Sequence, residues 1–91
     1  MRFHTNPDGQ PHIHDHGVWE NEVLEAMARP LEQTSGRDQS TILIGRTIAG
    51  RVIKIIFTDA RDGEGIFVVT AFELPPKQLR ALRRRLRGKR Q

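Results

Sequence analysis

Residues 40–74 read STILIGRTIAGRVIKIIFTDARDGEGIFVVTAFEL, and this stretch decides the fold of the chain. Three runs rich in β-branched and aromatic residues, 40–48, 51–58 and 64–74, are separated by the turn signals Ala49–Gly50 and Arg61–Asp62–Gly63. Such short connections join antiparallel strands, and Ala49–Gly50 predicts a tight two-residue hairpin. We therefore expect a three-stranded antiparallel meander, whose nearly continuous apolar residues indicate that both faces of the sheet are largely covered.

Within the third run, strict alternation divides the side chains between the two faces of the sheet. One face receives Ile66, Val68, Thr70 and Phe72, and the other receives Phe67, Val69 and Ala71. Upstream of the meander, residues 31–34 are predicted to form a short edge strand. The sheet is therefore expected to have three to four strands.

A helix is predicted on each side of the meander. Residues 18–29 place Val23, Leu24, Met27 and Ala28 on one helical face, and Pro30 stops that helix. After Pro75 and Pro76, an apolar stripe at helical spacing predicts a C-terminal helix surrounded by arginine, with Leu79, Leu82 and Leu86 in the stripe. The predicted fold class is α+β: a small antiparallel sheet with an N-terminal helix or helices and a basic C-terminal helix.

The 91 residues are expected to form one domain, with 1–11 as an irregular N-terminal segment. The chain has no cysteine, so it can form neither a disulfide framework nor a thiolate metal site. Residues 1–10 are polar, and no apolar run is long enough to span a membrane. The expected location is the cytoplasm, without membrane contact.

Charge is divided unevenly along the chain, whose formal net charge is +4. Residues 77–91 contain eight basic and no acidic side chains, so the other residues hold seven basic against eleven acidic ones. A basic helix or tail on an acidic body attracts polyanions, and RNA, DNA and acidic proteins are the candidates. Phosphate contact is assigned to Arg80, Arg83, Arg84 and Arg87; a merely solubilising tail is the alternative. With one Trp and no Tyr, base stacking has weak support from the sequence.

Residues 12–16 read His-Ile-His-Asp-His, with His4 upstream and Gly17 following as a helical C-cap candidate. As a strand, this run would place three imidazoles on one face; as a helix, it would pair His12 with His16. No downstream ligand cluster completes a metal site, so no metal or other cofactor is assigned, and a small metal-binding protein that uses His4, His12, His14 and His16 is the third alternative function. Surface or capping roles are the simplest interpretation, and an acid–base role for one imidazole in an RNA cleft is the functional one.

Basic residues also occur within the meander, at Arg46, Arg51, Lys54 and Arg61. Arg46 and Arg51 flank the first turn and are expected to approach each other across the hairpin. Lys54 interrupts an apolar strand and must either extend to solvent or face a polar cleft. In ribonuclease chemistry such cations offset the charge that grows on the phosphorane as the 2′-hydroxyl attacks. Ordinary edge and turn positions are the alternative.

The chain resembles BrnT-type toxins of the RelE/ParE superfamily, and an uncharacterised relative of that family, over residues 12–75. The resemblance lies in the order of five segments: Asp15-His16-Gly17-Val18, Ala28-Arg29-Pro30, Ile44-Gly45-Arg46, Gly50-Arg51-Val52-Ile53 and Phe67-Val68-Val69-Thr70-Ala71. It implies a metal-independent endoribonuclease of the mRNA interferase type, the toxin of a type II pair. A cognate antitoxin protein, through which the toxin could oligomerise, is the implied partner.

The resemblance carries three residues over to a catalytic role: His16, Arg46 and Arg51. Lys54 joins them as the cation of the apolar strand. The chain departs from the family pattern at Phe72, where such toxins usually have an arginine. The alternative function is therefore a non-catalytic RNA- or protein-binding module that uses the basic C-terminal arm.

Overall fold

The computed structural model describes residues 1–88. In chain order the elements are β1 (Arg2–Phe3), a first 3-10 helix (His12–His16), α1 (Glu20–Ala28), β2 (Pro30–Ser35), a second 3-10 helix (Arg37–Gln39), β3 (Thr41–Arg46), β4 (Val52–Asp59), β5 (Ile66–Glu73) and α2 (Pro76–Gly88). None of the helices in this described part has the length and apolar character that a membrane crossing needs. Residues 89–91 of the predicted basic segment, which include Lys89 and Arg90, lie outside the described residues.

The sheet has five strands in the order β1–β5–β4–β3–β2. The predicted meander of β3, β4 and β5 is confirmed, and β2 pairs with β3 as the expected edge strand. The fifth strand corrects the predicted count of three to four: Arg2 and Phe3 pair in parallel with Phe67 and Val68 of β5. A strand of two residues is too short to show an alternation of apolar and polar side chains. The sequence therefore predicted residues 1–11 to be irregular.

The connection between β3 and β4 is a three-residue loop, 48–50, and the predicted two-residue turn is wrong. The Thr47 amide donates to the Arg51 carbonyl oxygen at 2.8 Å, and the Arg51 amide donates to the Thr47 hydroxyl oxygen at 2.9 Å. Gly50 has φ +94°, the left-handed conformation that closes loops of this length. Because Thr47 is buried, its hydrogen bond holds the backbone of Arg51, the residue directly before β4, in a defined position.

A β-bulge interrupts the alternation of β5. The register with β4 shifts between Ile56 and Phe57, and Val69 has no partner in it. Val68 and Ala71 consequently belong to the same core cluster, although strict alternation predicts them on opposite faces. The predicted division of 64–74 between the two faces is therefore wrong beyond the bulge.

Two apolar clusters cover opposite faces of the sheet. The larger one lies under α1 and the first 3-10 helix and contains Ile13, Val18, Val23, Ala26, Leu43, Ile53, Ile55, Val68 and Ala71. The smaller one lies under α2 and contains Ile44, Val52, Leu74 and Leu82, with Leu31, Leu79 and Leu86 packed against it. Adjacent residues of one strand, such as Leu43 and Ile44, fall in different clusters, as side chains of a strand must.

The face under α2 is covered only in part, which corrects the expectation that both faces are largely covered. Leu82 of α2 is 1% exposed, whereas Val69 of β5 is 37% exposed. A helix is about 10 Å wide, and a strand of eight residues such as β5 is about 26 Å long. One helix that crosses the strands near one end therefore leaves the rest of that face open.

α1 begins two residues later than predicted, with Trp19 as its N-cap residue. The Trp19 amide donates to Glu22 Oε1 at 3.1 Å, so that one N–H group at the helix start has a partner. Val23 and Ala26 are the buried residues of this helix, and Leu24, expected on the inner face, is 54% exposed. The helix lies close to the sheet at Ala26, whose backbone occupies the space that a Cβ at Gly45 would need.

Candidate functional site

Five rings form a row beside β5, which we call the aromatic row: Phe67, His4, His12, His16 and Phe72. In that order, neighbouring ring centroids lie 6.3, 5.7, 5.0 and 6.1 Å apart. Backbone hydrogen bonds hold the row in place, because the His12 amide donates to the His4 carbonyl oxygen and the His4 amide donates to β5. The row therefore depends on three separate segments of the chain.

The first 3-10 helix divides the three histidines of 12–16 into two groups. Gly17 ends it at φ +70°, which confirms the predicted cap. His12 and His16 join the aromatic row, whereas His14 packs against the Trp19 ring at a centroid distance of 4.4 Å. The strand alternative, with three imidazoles on one face, is therefore wrong, and the helical pairing of His12 with His16 is confirmed.

His14 is bound by Glu20, with its Nε2 2.6 Å from Glu20 Oε1. The hydrogen bond with His14, a backbone hydrogen bond and the charge of His14 together hold the pKa of Glu20 below its ordinary value of 4.5. This pair joins the first 3-10 helix to α1, so His14 has a contact within the fold. Within residues 1–88, no group of three or more histidine and carboxylate side chains is placed to hold a metal ion.

His12 is the inner member of the row, with a side chain 34% exposed. Its Nδ1 lies 3.0 Å from Asn6 Oδ1 and 3.6 Å from Asp15 Oδ2. His4 and His16 are exposed, and neither makes a side-chain hydrogen bond to another described residue. These two imidazoles are therefore open to a ligand.

Arg51 is held by two carboxylates on the α1 side of the sheet. Its Nη1 lies 2.7 Å from Glu22 Oε2, and its Nη2 lies 3.0 Å from Glu73 Oε1. Nη1 also donates to the Gly17 carbonyl oxygen at 3.1 Å. The hydrogen bond with Glu22, and then that with Glu73, raises the pKa of Arg51 above its ordinary value. The positive charge of Arg51, which the sequence analysis assigned to a phosphate, is thus neutralised by carboxylates. Through these contacts Arg51 links the first 3-10 helix, α1, β4 and β5.

Lys54 lies on the other face, in a groove of about 230 Å³ beside α2. Its Nζ is 5.9 Å from the centroid of the Phe72 ring, within the range of a cation–π contact. Another part of the groove is lined by Glu32 and Arg85, which are joined by two hydrogen bonds of 2.8 Å. Lys54 therefore faces a cleft that contains polar groups, one of the two environments that its sequence position predicts.

Arg46 ends β3 and is exposed. Since Leu43 lies in the cluster under α1 and Ile44 in that under α2, alternation places Arg46 on the α2 face. Arg51 contacts groups on the α1 side, so the expected approach of the two arginines across the hairpin is wrong.

The four residues predicted to be catalytic do not converge on one point. His16 and Lys54 both lie near Phe72, at 6.1 Å between ring centroids and 5.9 Å from Nζ to the centroid. Arg51 reaches the segment next to His16 but is bound by carboxylates on the α1 side. Arg46 shares the α2 face with Lys54 but lies at the end of β3, two positions beyond the partner of Lys54. His16 and Lys54 are thus the two of the four that share a neighbouring residue, Phe72.

One flank of α2 carries five basic residues that we call the basic stripe: Lys77, Arg80, Arg83, Arg84 and Arg87. At about 100° per residue, these side chains fall within an arc of about 120°. All five are exposed, and none forms an ion pair with another residue of the described range 1–88. The four arginines assigned to phosphate contact therefore share one surface, whereas Arg85 lies on the other flank and binds Glu32.

A scan against protein-family models, a search of the curated proteins and a search of the solved structures each returned no match. The resemblance to BrnT-type toxins therefore stays a prediction from residue patterns.

Sequence reasoning missed the aromatic row as a unit. It weighed aromatic content by Trp and Tyr and treated the histidines as ligands or bases. Placing His4 beside Phe67 requires the parallel pairing of β1 with β5, for which the sequence has no signal. The spacing of His12 and His16 was the part of the row that a helical interpretation could identify.

Proposed function

We propose that this protein binds RNA in the cytoplasm through the basic stripe of α2. The observation that carries the proposal is the separation of charge between the two sides of the sheet. α2 has six basic and no acidic residues, whereas α1 on the opposite face has three glutamates and no basic residue. A polyanion is attracted to the first face and repelled from the second.

The stripe suits a phosphate chain in both length and availability. From Lys77 to Arg87 it extends about 15 Å along the helix axis, at 1.5 Å per residue. Because no described residue forms an ion pair with these side chains, binding to phosphate breaks no existing contact. RNA is the polyanion that the resemblance to BrnT-type toxins implies.

Two matched substitutions on the same helix test the proposal. Arg83→Gln removes a stripe residue, and Arg85→Gln removes an arginine that is already bound to Glu32. The affinity for a fluorescein-labelled 20-nucleotide RNA would be measured by anisotropy between 50 and 300 mM KCl. Arg83→Gln should lower the slope of log K against log salt by about 0.7, and Arg85→Gln should leave it unchanged. Equal slopes for wild type and Arg83→Gln contradict the proposal.

Deletion of the C-terminal segment is the poorer test, because α2 is part of the core. Leu82 is 1% exposed and packs with Ile44, Val52 and Leu74. Removing residues 77–91 should therefore expose this cluster and destabilise that end of the sheet. Substitutions on the stripe change charge and leave the apolar stripe of the helix intact.

A second candidate function is the endoribonuclease of a toxin–antitoxin pair with a RelE/BrnT-like fold. The observation that favours it is the exposed imidazole of His16 near Phe72, with the Lys54 ammonium also beside that ring. It ranks second because Arg51, one of the three residues that the resemblance carries over, is neutralised by Glu22 and Glu73. It retains His16 and Lys54 as the groups that act on RNA and a cognate antitoxin as the protein partner.

In this candidate function His16 is the general base or acid. The 2′-hydroxyl oxygen attacks the adjacent phosphorus, its proton passes to an imidazole nitrogen, and the bond to the 5′-oxygen breaks. The products are a 2′,3′-cyclic phosphate and a 5′-hydroxyl, which takes up a proton. The Lys54 ammonium offsets the negative charge that develops on the phosphoryl oxygens.

Two histidine substitutions test the ribonuclease. His16→Ala should abolish RNA cleavage by the purified protein and growth arrest on induction, because general acid–base catalysis contributes about 10²- to 10⁴-fold. His14→Ala is the matched control, since His14 is bound by Glu20. Cleavage by His16→Ala at the wild-type rate contradicts this function, as does an inactive wild-type protein. Adding the product of the adjacent gene should inhibit wild-type cleavage.

A further inference from the structure

We infer that the aromatic row is a base-stacking platform for single-stranded RNA, an inference that rests on the RNA binding proposed above. It adds a second contact surface to the basic stripe and specifies the class of RNA. The stripe holds phosphates, which single and double strands share, whereas the row contacts base faces. Base faces are accessible in single strands and hidden in a duplex.

Two rings of the row, the imidazoles of His4 and His16, are exposed to solvent. Neighbouring planes are inclined by 63° to 85°, so the five rings do not stack on one another in parallel. His4 and His16 are exposed, and no side chain of residues 1–88 forms a hydrogen bond with either. Imidazole and phenyl rings both stack on bases, and because every base has a π face such contacts tolerate any sequence.

A cation stands beside the phenylalanine at each end of the row. Arg2 of β1 is in register with Phe67, and Lys54 of β4 is in register with Phe72. Because Arg2 is paired with Asp62 at 2.6 Å, a strand whose bases lie on the row meets the Lys54 ammonium at the Phe72 end and an already paired guanidinium at the Phe67 end. Asp15, the carboxylate next to His12, already accepts a hydrogen bond from Asn6.

The Phe67 end of the row opens on a groove of about 440 Å³. Phe67 and Val69 form its apolar wall, and Asp59 is its one acidic lining residue. Of its two arginines, Arg2 is paired with Asp62, so Arg61 is the one that supplies a cation. Arg61 is exposed and forms no ion pair with any residue of the described range. An apolar wall with a free guanidinium suits a terminal base and its phosphate.

The length of the row sets the number of nucleotides. Because of the bulge at Val69, Phe67 and Phe72 are in register with Thr58 and Lys54, which are four positions apart on β4 and therefore about 13 Å apart. At about 3.4 Å per nucleotide of a stacked strand, this accommodates about four nucleotides, and fewer when the strand is extended. The ligand is therefore a short single-stranded segment.

Three probes test the platform with the full chain: a labelled eight-nucleotide RNA, a ribose–phosphate chain of equal length and charge without bases, and the RNA annealed to its complement, which doubles the number of phosphates and hides the base faces. Wild type should bind the single strand at least about fivefold more tightly than the abasic chain. Phe72→Ala and His16→Ala should each remove most of that preference and leave abasic binding unchanged. His16→Phe should restore it, because a phenyl ring stacks but cannot transfer a proton.

Trp19, the single tryptophan, lies outside the row and reports folding of every variant by its fluorescence. Equal affinity for RNA and the abasic chain, or full RNA affinity in both alanine variants, overturns the platform. The proposed RNA binding through the basic stripe is tested separately. It stands in either case if the abasic chain binds in a salt-dependent way and binds more weakly to Arg83→Gln. If wild type binds the RNA but not the abasic chain, the phosphates contribute no affinity of their own. That result contradicts phosphate binding by the basic stripe and leaves the platform standing.

Discussion

Replacing Arg51 with methionine separates a role in the fold from a role on phosphate. The variant keeps the aliphatic part of the side chain but leaves Glu22, 13% exposed, without its guanidinium partner. Breaking a fully buried pair costs about 3–5 kcal/mol, and breaking an exposed pair costs about 0–1 kcal/mol. Because Arg51 is 30% and Glu73 58% exposed, we expect an intermediate loss of about 2 kcal/mol.

Such a loss is large for a domain of this size. Its whole free energy of unfolding is expected to be about 5–13 kcal/mol, and each kcal/mol corresponds to about 4–8 °C in Tm. Arg51→Met should therefore lower Tm by about 8–16 °C, measured by circular dichroism and checked by urea unfolding. Adding Glu22→Gln should recover a large part of the loss, because the buried charge is then removed.

Arg2→Met is the control for Arg51→Met. Arg2 and Asp62 also form an ion pair, but their side chains are 67% and 41% exposed, so Tm should hardly change. The reasoning fails if Arg51→Met and Arg2→Met have the same Tm, or if Glu22→Gln gives no recovery. A folded Arg51→Met protein should bind RNA as tightly as wild type. A tenfold weaker affinity would instead show that Arg51 contributes to phosphate binding.

Gly45→Ala should lower the free energy of unfolding by about 3 kcal/mol or more in urea unfolding. A Cβ at this position meets the carbonyl group of Ala26, with its carbon only 2.6 Å away, so β3 and α1 must separate. Leu82→Ala should cost about 2–5 kcal/mol by the same measurement, since Leu82 is 1% exposed. Glu20→Gln should be less stable than wild type above pH 4.5, because the bond with His14 lowers the pKa of Glu20 in the fold. That difference should vanish as pH falls through the lowered folded pKa, when wild-type Glu20 becomes protonated.

Each of these predictions has a clear contrary result. Wild-type stability of Gly45→Ala would show that α1 does not approach β3 so closely. An unchanged Leu82→Ala protein would show that α2 does not pack on the sheet. A Glu20→Gln difference that is independent of pH between 2 and 7 would show that the carboxylate charge contributes nothing.

The meander was predictable because its signals are local. Residues 40–74 combine β-branched runs with turn residues, and each strand pairs with its neighbour in sequence. The stop of α1 before Pro30 and the leucine spacing of α2 are likewise local. The loop 48–50 was misjudged by one residue, because its length depends on the side-chain bond of Thr47 to the Arg51 amide.

The candidate site was predictable only as a set of residue types. The basic side chains of α2 follow from helical periodicity, so the stripe was within reach of the sequence. The pairing of Arg51 with Glu22 and Glu73 was not, because those carboxylates come from α1 and β5. A residue pattern shows that an arginine is present, but only its neighbours in space decide whether its charge is available.

The amino-acid sequence was sufficient to predict an α+β chain with an antiparallel meander, an acidic body and a basic C-terminal helix. Tertiary structure alone decided the fifth strand, the bulge at Val69, the half-open face under α2 and the aromatic row. The physical reason is the range of the interactions involved. Periodicity, turns and charge act between near neighbours, whereas His4, His16 and Phe72 are brought together by contacts between distant segments.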